Sequence, residues 1–477
     1  MNYNMNPIHK KIAPSLQILI YTLSILISLT EIKANSSPTH ISNSKMQSLL
    51  EDKSITTLKT AYQTILSHLH RNDITPGVVI ASPSMNQPNY FYHWIRDAGL
   101  TMMEIVTLYQ QPLPPDKLQL LDSAIKAWIN FEIQNQNTAV RQSNLGEPIF
   151  TVKGEIYPAP WGRPQNDGPA IRAITMTMYA FELIKQKRFE EVKRLYRSEM
   201  PATSPIKRDL EYVSEHWRDS NFDLWEEVKG DHFFTKMAQR TALILGSKLA
   251  SITNDPFASS YYANKAKEIE SSITKHINNH RKILVPTLNP IGGWKGKDSE
   301  LDSSTILAVL YFSMGDGFIN VNDAIVANTA MALESVFSKI YQINIHTNRT
   351  YNLAPLSPGI GRYPEDVYNG SGFTEGNPWF ITTNAFAEYY CRLANSNPKS
   401  TQASALRAKG ISFINRVLLH SDVNGQMSEQ FNRNSGYMQG AHDLTWSYVS
   451  YLRAFRTCQT NAQFSKFISS LMKSRHH

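Results

Sequence analysis

Two glutamates stand out in this 477-residue sequence because each lies in a loop whose other residues could support acid–base chemistry. The first is Glu226, within the segment Asp223-Leu224-Trp225-Glu226-Glu227. Carboxylates crowded beside an indole favour a raised pKa for one of them, through desolvation and like-charge repulsion. Helix capping is the simpler interpretation of acidic residues ahead of a helix, but it explains neither the tryptophan nor the crowding.

The second glutamate is Glu429, within the segment Met427-Ser428-Glu429-Gln430-Phe431. Cleavage of a glycosidic bond needs two carboxyl groups, one to protonate the leaving oxygen and one to activate water. A single loop glutamate is usually no more than solvated surface, so the hypothesis depends on the combination. We therefore predict Glu226 and Glu429 as a catalytic pair.

Sugar recognition also needs planar donors, acceptors for hydroxyl hydrogen bonds and aromatic surfaces, and other loops supply all three. Each such residue alone could equally belong to a structural ion pair or to the core. Their recurrence on successive loops favours a binding site. The clusters are Tyr90, Trp94, Arg96 and Asp97; Trp161, Arg163 and Asp167; and Arg362, Tyr363, Glu365, Asp366 and Trp379.

Apolar residues recur at helical spacing through most of the chain, as at Leu121, Ala124, Trp128 and Phe131. Alternating strand patterns are scarce, so we expect an all-α fold. The predicted helices cover residues 45–71, 96–110, 115–136, 168–187, 204–218, 231–252, 256–280, 302–314, 322–342, 378–395, 402–420 and 441–456, with a further helix possible at 462–474.

The chemically distinctive loops recur at a regular interval along the chain. Representative residues are separated by 64, 65, 68, 71 and 64 positions, and they are Asp97, Trp161, Glu226, Trp294, Glu365 and Glu429. Six loops and about twelve helices imply six helical hairpins, and a ring of six hairpins would gather the loops around one pocket. This spacing predicts an (α/α)6 barrel, a six-hairpin toroid with its long loops on one face. An open α-solenoid is the alternative.

The N-terminus has the layout of an export signal: Lys10 and Lys11, an apolar run over residues 16–29, and a small residue at Ala34. An uncleaved anchor is the alternative, but the run is shorter than the ~20 apolar residues that span a bilayer. We predict a signal peptide at 1–34, a single catalytic domain at 35–477, and a secreted protein.

Charge and cysteine content exclude several other classes of protein. Removal of residues 1–34 takes away three lysines and one glutamate, which lowers the formal charge from +8 to +6. The basic residues form no long stripe, so we expect no nucleic-acid partner. Cys391 and Cys458 could form one bridge or stay as two buried thiols. We expect no metal, no cofactor, no membrane association after signal cleavage, and a monomer.

Several longer stretches closely resemble the glucoamylases of glycoside hydrolase family 15. The resemblance runs from about residue 75 to residue 455 and is ordered alike throughout. The stretches are GVVIASPS (77–84), YFYHWIRDAGL (90–100), GEPIF (146–150), WGRPQNDGPAIRA (161–173), FDLWEEVKGDHFFT (222–235), GKDSELDSSTIL (296–307), GRYPEDVYNG (361–370), GNPWF (376–380), MSEQFNRNSG (427–436) and AHDLTWSY (441–448).

The resemblance implies roles that the patterns alone do not assign. Glu226 would be the general acid and Glu429 the general base of an inverting reaction. The expected product is β-D-glucose from the non-reducing ends of starch, glycogen and maltooligosaccharides, with α-1,4 links cleaved faster than α-1,6. The substrate-binding residues implied are Tyr90, Trp94, Arg96, Asp97, Trp161, Asp223, Leu224, Trp225, Glu227, Arg362, Asp366 and Trp379.

Two departures from the family pattern limit what the resemblance implies. His93 and Ile95 interrupt the aromatic run before Arg96, and the segment NGSGFTEG at 369–376 is longer than expected, which leaves the outer sugar sites open. A related exo-glucosidase acting on trehalose or dextran-type linkages is one alternative. A non-catalytic glucan-binding or regulatory toroid is an alternative of another class.

Overall fold

A computed structural model of the protein describes residues 43–345, 356–459 and 464. The predicted signal peptide lies outside these residues, and so does nearly all of the possible helix at 462–474. The chain divides into the units Met1–Asp52 and Lys53–His477, and the residues discussed below belong to the second. Within the described residues, no helix is long and apolar enough to cross a bilayer.

The described chain is mostly helical, and each helix predicted within it is present with its ends shifted by a few residues. The short helix α5 was missed because seven residues are too few to show a period. The helices are α1 Asn43–Leu69, α2 Ile95–Tyr109, α3 Pro115–Gln142, α4 Asp167–Lys185, α5 Phe189–Leu195, α6 Pro205–His216, α7 Phe233–Ile252, α8 Pro256–Ile273, α9 Ser304–Phe312, α10 Ala324–Ile340, α11 Phe380–Ser396, α12 Ala403–His420 and α13 Thr445–Cys458.

Six of these helices form a closed inner ring. In order around the ring, α2, α4, α7, α9, α11 and α13 each pack against the next, and α13 packs against α2. The inner helices are buried on almost every side, as expected for helices without a polar face. The helices α3, α6, α8, α10 and α12 pack against them from outside. The fold is therefore an (α/α)6 toroid, and closure between the first and last inner helices excludes the open solenoid.

Short antiparallel strands fix the loops at the ends of the inner helices. β1 pairs with β2, β4 pairs with both β3 and β7, β5 pairs with β6, and β8 pairs with β9. The strands are β1 His93–Trp94, β2 Ile149–Phe150, β3 Asn221–Phe222, β4 Val228–His232, β5 Ile277–Asn278, β6 Ile283–Leu284, β7 Thr287–Gly293, β8 Gln430–Phe431 and β9 Met438–Gln439. The predicted helix 256–280 ends early because β5 begins at Ile277, after a 3-10 turn at Thr274–His276.

A disulfide joins two neighbouring helices of the inner ring. Cys391 in α11 and Cys458 in α13 are bonded to each other, which settles the choice that the sequence left open between one bridge and two free thiols. Their separation of 67 residues means that the bond closes a long loop containing the whole of α12. The bond therefore reinforces a contact of the ring that helix packing already makes.

A buried ion network connects the inner ring to the outer helices near β1. Arg172 of α4 donates to both carboxylate oxygens of Asp209 in α6, at 2.6 and 2.7 Å, and to Glu132 of α3 at 3.1 Å. The other oxygen of Glu132 lies 2.8 Å from Nε2 of His93. All four side chains are at most 2% exposed. His93, a departure from the family pattern, thus has a structural role.

Removal of the arginine from this network should destabilise the fold strongly. Arg172→Leu would leave Asp209 and Glu132 buried without their cation, which costs about 3–5 kcal/mol of unfolding free energy. The measurement is urea unfolding followed by circular dichroism. Arg197→Leu is the matched control, because the Arg197–Glu199 pair is about half exposed and should contribute less than about 1 kcal/mol. Equal midpoints for the two variants would contradict the structural role of the network.

Candidate active site

The cavity at one end of the ring gathers most of the predicted site residues. It has a volume of about 250 Å³ and is lined by aromatic, acidic and basic side chains. The predicted residues that line it are Tyr90, Trp94, Arg96, Asp97, Trp161, Leu224, Trp225, Glu226, Glu227, Arg362, Trp379 and Glu429. Two of the substrate-binding residues that the resemblance implied, Asp223 and Asp366, lie behind this lining and form hydrogen bonds with residues that line the cavity.

Two of the six residues that mark the evenly spaced loops do not line the cavity themselves. Trp294 lines a separate surface groove, although its backbone N–H donates to the Glu227 carbonyl at 2.8 Å. Glu365 accepts hydrogen bonds from the backbone N–H and hydroxyl of Ser299 and does not line the cavity. The loop of Glu365 supplies Arg362 to the lining, whereas the loop of Trp294 supplies Lys297, which does not line the cavity but donates to Asp223. The spacing therefore located the loops but not the side chain that each one contributes.

Glu226 lies at the tip of the β3–β4 hairpin in an unusual backbone conformation. Its φ is +67°, a region that costs a non-glycine residue free energy and is often found at functional positions. The tip is held because the Asp223 carbonyl accepts from the Glu226 N–H at 2.9 Å. The Asp223 carboxylate accepts from the N–H groups of Glu227 and Val228. Asp223 is thus the residue that shapes the hairpin.

The carboxylate of Glu226 is surrounded by donors from the other side of the cavity. Its Oε2 accepts from the Trp161 indole at 2.8 Å. Its Oε1 accepts from Trp94 at 2.8 Å, Arg96 at 3.0 Å and Gln165 at 3.2 Å. The neighbouring indole of Trp225, which we expected to act on the carboxylates, donates instead to Asp302 at 2.9 Å. Among the described residues, Oε2 accepts a single hydrogen bond, so it retains the capacity to bond to a ligand oxygen or to hold a proton.

Glu429 immediately precedes β8 and is 1% exposed. Its backbone N–H donates to the Ala441 carbonyl at 2.8 Å. The hydroxyls of Tyr90 and Tyr368 donate to its two oxygens at 3.1 and 3.4 Å, and these hydroxyls lie 3.0 Å apart. Burial raises the pKa of Glu429 to about 8, while Arg362 and the two tyrosine hydroxyls act in the opposite direction.

Arg96 and Asp97 form the charged wall on the Glu226 side, in the first turn of α2. Arg96 is held by Gln165 at 2.8 Å and by Asp167 at 3.2 Å, besides its bond to Glu226. Its Nε makes no hydrogen bond among the described residues but lies 3.6 Å from an oxygen of Asp97, with which it forms an ion pair. Burial raises the pKa of Asp97 to about 7, although Arg96 opposes this change.

Arg362 forms the cationic wall on the other side and is anchored by two carboxylates. Asp366 accepts from it at 2.6 and 2.8 Å, and Glu227 accepts at 2.7 Å. The second oxygen of Glu227 accepts from the Tyr363 hydroxyl at 2.7 Å. The guanidinium carbon also lies 5.3 Å from the ring centre of Trp379. Asp366 therefore lies outside the cavity lining and fixes the position of Arg362.

Lys297 is a central residue that sequence reasoning missed. Its ammonium group donates to Asp223 at 3.1 Å and to Asp302 at 3.0 Å, and it lies 3.9 Å from Glu227. Burial alone would raise the pKa of Asp223, but Lys297, with smaller contributions from His232 and two backbone N–H groups, lowers it to about 2. Its stretch, GKDSELDSSTIL, was recognised as similar to the family. A lysine beside several acids looks like solvated surface, and no residue was selected from this stretch.

Several apolar or aromatic lining residues were also missed. Tyr368 follows Asp366 in a segment that the resemblance covered, and Trp446 lies in the stretch AHDLTWSY, so both could have been found from those motifs. Ala81 and Leu444 also lie in matching stretches but are small or aliphatic residues that give no sign of a site, and Phe373 and Ile381 lie outside those stretches. The missed lining residues are Ala81, Tyr368, Phe373, Ile381, Leu444 and Trp446. The described residues contain no group of three or more His, Cys, Asp or Glu side chains placed to hold a metal ion.

A helical toroid with buried carboxylates around one aromatic-lined cavity has the architecture of a carbohydrate-cleaving enzyme. The family model for glycosyl hydrolases family 15 matches residues 57–456. The chain therefore belongs to this family of glycoside hydrolases.

Within the family, the similar proteins are glucoamylases. The chain is 34% identical over 419 residues to a glucoamylase of Blastobotrys adeninivorans, covering 80% of this chain and 66% of that protein. It is 33% identical over 453 residues to an intracellular, sporulation-specific glucoamylase of Saccharomyces cerevisiae (strain ATCC 204508 / S288c), covering 81% of this chain and 79% of that protein. The chain thus spans just under two thirds of the length of the Blastobotrys relative.

A solved structure agrees with this placement. The glucoamylase from Saccharomycopsis fibuligera superposes with a TM-score of 0.74 at 27% sequence identity. The match covers 89% of this chain and 98% of that one. The toroid deduced from the helix contacts is therefore the fold of the family.

Loss of the Lys297 ammonium should destabilise the protein in a pH-dependent way. Because the pKa of Asp223 falls from 3.8 to about 2 on folding, this carboxylate stabilises the fold above pH 3.8, and the contribution disappears as the pH falls towards 2. Lys297→Met removes it, and the variant should lose roughly 3 kcal/mol near neutral pH. The measurement is urea unfolding at about pH 7, 5 and 2.5.

The difference in unfolding free energy between Lys297→Met and the unaltered protein should become smaller at the lowest pH. Lys295→Met is the control, because Lys295 is an exposed lysine two positions away. A constant difference across this pH range would contradict the role assigned to the Lys297–Asp223 pair.

Proposed function

We propose that the protein is an exo-acting, inverting glucoamylase. It releases β-D-glucose from the non-reducing ends of starch, glycogen and maltooligosaccharides, cleaving α-1,4 links and, more slowly, α-1,6 links. The observation that carries the proposal is that Glu226 and Glu429, 203 residues apart in the sequence, both line one cavity. Their surroundings differ, as two carboxyl groups with different roles require.

Glu226 is the general acid in this mechanism. It lies among indole and guanidinium donors that fix its orientation. Its Oε2, which accepts a single hydrogen bond, carries the proton that passes to the glycosidic oxygen. Proton transfer to that oxygen lets the leaving chain depart as an alcohol. Because Trp161 is 37% exposed and bonds to Glu226, it is well situated to contact the departing sugar together with Glu227.

Glu429 is the general base and activates the water that attacks the anomeric carbon from the opposite face. Tyr90 and Tyr368 orient its oxygens and favour its ionised form, against the effect of burial. Positive charge that develops on the sugar in the transition state favours the carboxylate further. Attack by water on that face inverts the configuration, which is why the product is the β anomer.

The charged walls account for exo action and for recognition of the terminal glucose. Arg96, Asp97 and Arg362 offer buried donors and acceptors for its hydroxyl groups, and Trp379 gives an apolar wall beside Arg362. Trp94, Leu224 and Trp225 also line the cavity. Because these groups are buried, an internal glucan segment cannot reach them, and only a chain end enters.

The wider biological setting follows from the N-terminal pattern. Export and cleavage of the signal near Ala34 would leave a secreted, monomeric, single-domain enzyme over residues 35–477 that acts on α-glucans. The disulfide between Cys391 and Cys458 suits an oxidising compartment. Action on trehalose or dextran-type linkages is the alternative substrate class. The presence of both glutamates together with Tyr90 argues against a non-catalytic glucan-binding toroid.

Anomer-resolved proton NMR of maltose hydrolysis tests the whole proposal. β-Glucose should appear before mutarotation produces the equilibrium mixture, because water attacks the face opposite the leaving group. Glu226→Gln and Glu429→Gln should each lower kcat on maltose at least about 100-fold. Glu190→Gln, whose parent side chain is 81% exposed, should match the unaltered enzyme. Initial release of α-glucose would overturn inversion.

A second substrate distinguishes the role of the general acid from that of the general base. Fluoride leaves without protonation, so Glu226→Gln should hydrolyse α-D-glucosyl fluoride far better than maltose, while Glu429→Gln should be slow on both. The reverse pattern would exchange the two roles. Parallel assays with isomaltose and trehalose define the linkage, and a faster rate on trehalose than on maltose would replace the substrate assignment.

Tyr90→Phe should move the acidic limb of the pH profile. The substitution removes a donor that lowers the pKa of Glu429, so that pKa rises further. The base is then ionised only at higher pH, and kcat/KM on maltose should fall several-fold on the acidic side. Tyr92→Phe is the control, since Tyr92 neighbours Trp94 without lining the cavity. A shift of the limb to lower pH would contradict the role of Tyr90.

A further inference from the structure

The longer-than-expected segment 369–376 brings an aromatic side chain to the mouth of the cavity. Phe373 lies in this segment and lines the cavity although it is 75% exposed. A phenyl ring on a loop is normally expected to be at least partly covered, because its exposure to water is unfavourable. An exposed ring at the entrance of a sugar-cleaving site therefore calls for a functional explanation.

The loop that carries Phe373 is tightly cross-linked by hydrogen bonds. The Asn369 side chain accepts from the N–H of Gly372 at 2.8 Å and donates to the Thr374 hydroxyl at 2.7 Å. The Thr374 N–H donates to the Val367 carbonyl at 2.7 Å. From the β8–β9 hairpin, Gln439 donates to the Asn369 carbonyl at 2.6 Å. Phe373 is thus held on a defined framework, which reduces the entropy cost of using it in binding.

The position of Phe373 relative to the two glutamates is informative. Its ring centre is 6.0 Å from that of Tyr368, and the Tyr368 hydroxyl donates to Glu429. Trp161, the other exposed aromatic of the lining, donates to Glu226. One exposed ring therefore accompanies each glutamate.

We propose that Phe373 is a binding surface for glucose units beyond the first unit of the leaving chain. It gives the enzyme a preference for α-glucans of three or more units over maltose. The occupant is the part of the same substrate chain that extends into solvent, and its apolar sugar faces pack on the ring. The inference rests on the proposed function and extends it to chain-length preference.

Kinetics on maltose, maltotriose and maltoheptaose test the role of Phe373. Phe373→Ala should lower kcat/KM on maltoheptaose about three- to tenfold, the equivalent of one lost aromatic contact. Its value on maltose should stay within about twofold, because maltose does not reach the ring. Phe373→Trp should retain the preference for longer chains. Phe257→Ala is the matched control, since Phe257 is 84% exposed and does not line the cavity.

Two outcomes would overturn the inference. An equal loss of kcat/KM on all three substrates, together with a shift of the acidic limb of the pH profile, would mean that Phe373 positions Tyr368 and does not bind sugar. An unchanged chain-length profile would mean that it has no role in recognition. Failure of the unaltered enzyme to hydrolyse any of these substrates would instead refute the proposed function.

A binding experiment keeps the inference testable without turnover. In the Glu226→Gln background, calorimetric titration with maltoheptaose should show weaker binding when Phe373→Ala is added. Titration with maltose should show little change. Equal affinities for maltoheptaose with and without the alanine would overturn the inference.

Discussion

The contact between α13 and α2 is the constraint on which the site depends. Every other contact in the inner ring joins inner helices that follow one another along the chain, whereas this contact joins the last inner helix to the first. Without it, the β8–β9 hairpin that carries Glu429 and the α2 turn that carries Arg96 would belong to opposite ends of an open array. Ring closure brings residues that are far apart in the sequence to one cavity. The packing of the helices therefore sets the distance between the two glutamates.

The site is also constrained by charge, because several carboxylates are buried close together. Such a cluster is stable only if cations share the same volume. The charges form two networks. Arg96 contacts Asp97, Asp167 and Glu226. Lys297 and Arg362 are connected through Glu227 and also contact other buried carboxylates. The proposed ligand donors Arg96 and Arg362 are therefore also groups that allow the acids to be buried. Binding and stability cannot be altered independently here.

Sequence patterns predicted the helices well because apolar periodicity directly reflects burial on the toroid. They also led to Glu226 and Glu429, whose neighbours carry a local signal. Lys297 was not predicted because its role comes from a contact with Asp223, which is far away in the sequence. Tyr368 lies in a stretch that matches the family and could have been selected from it. Trp294 and Glu365 were chosen by even spacing, but hairpins of unequal loop length present different positions to the cavity. The spacing of the loops along the sequence reflects the six-hairpin architecture, whereas tertiary packing sets the direction in which each side chain points.

Two glycines connect the entrance loop to the hairpin beside Glu429. Gly370 and Gly440 both have positive φ, and a Cβ on Gly370 would lie 2.5 Å from the Cα of Gly440. A Cβ on Gly440 would lie 2.3 Å from the Glu429 carboxylate. The glycine pair thus forms a fixed base on which the rest of the loop can change in length and sequence. In evolutionary terms, substrate range can diversify at the tip of this loop while the chemistry beneath it is inherited unaltered.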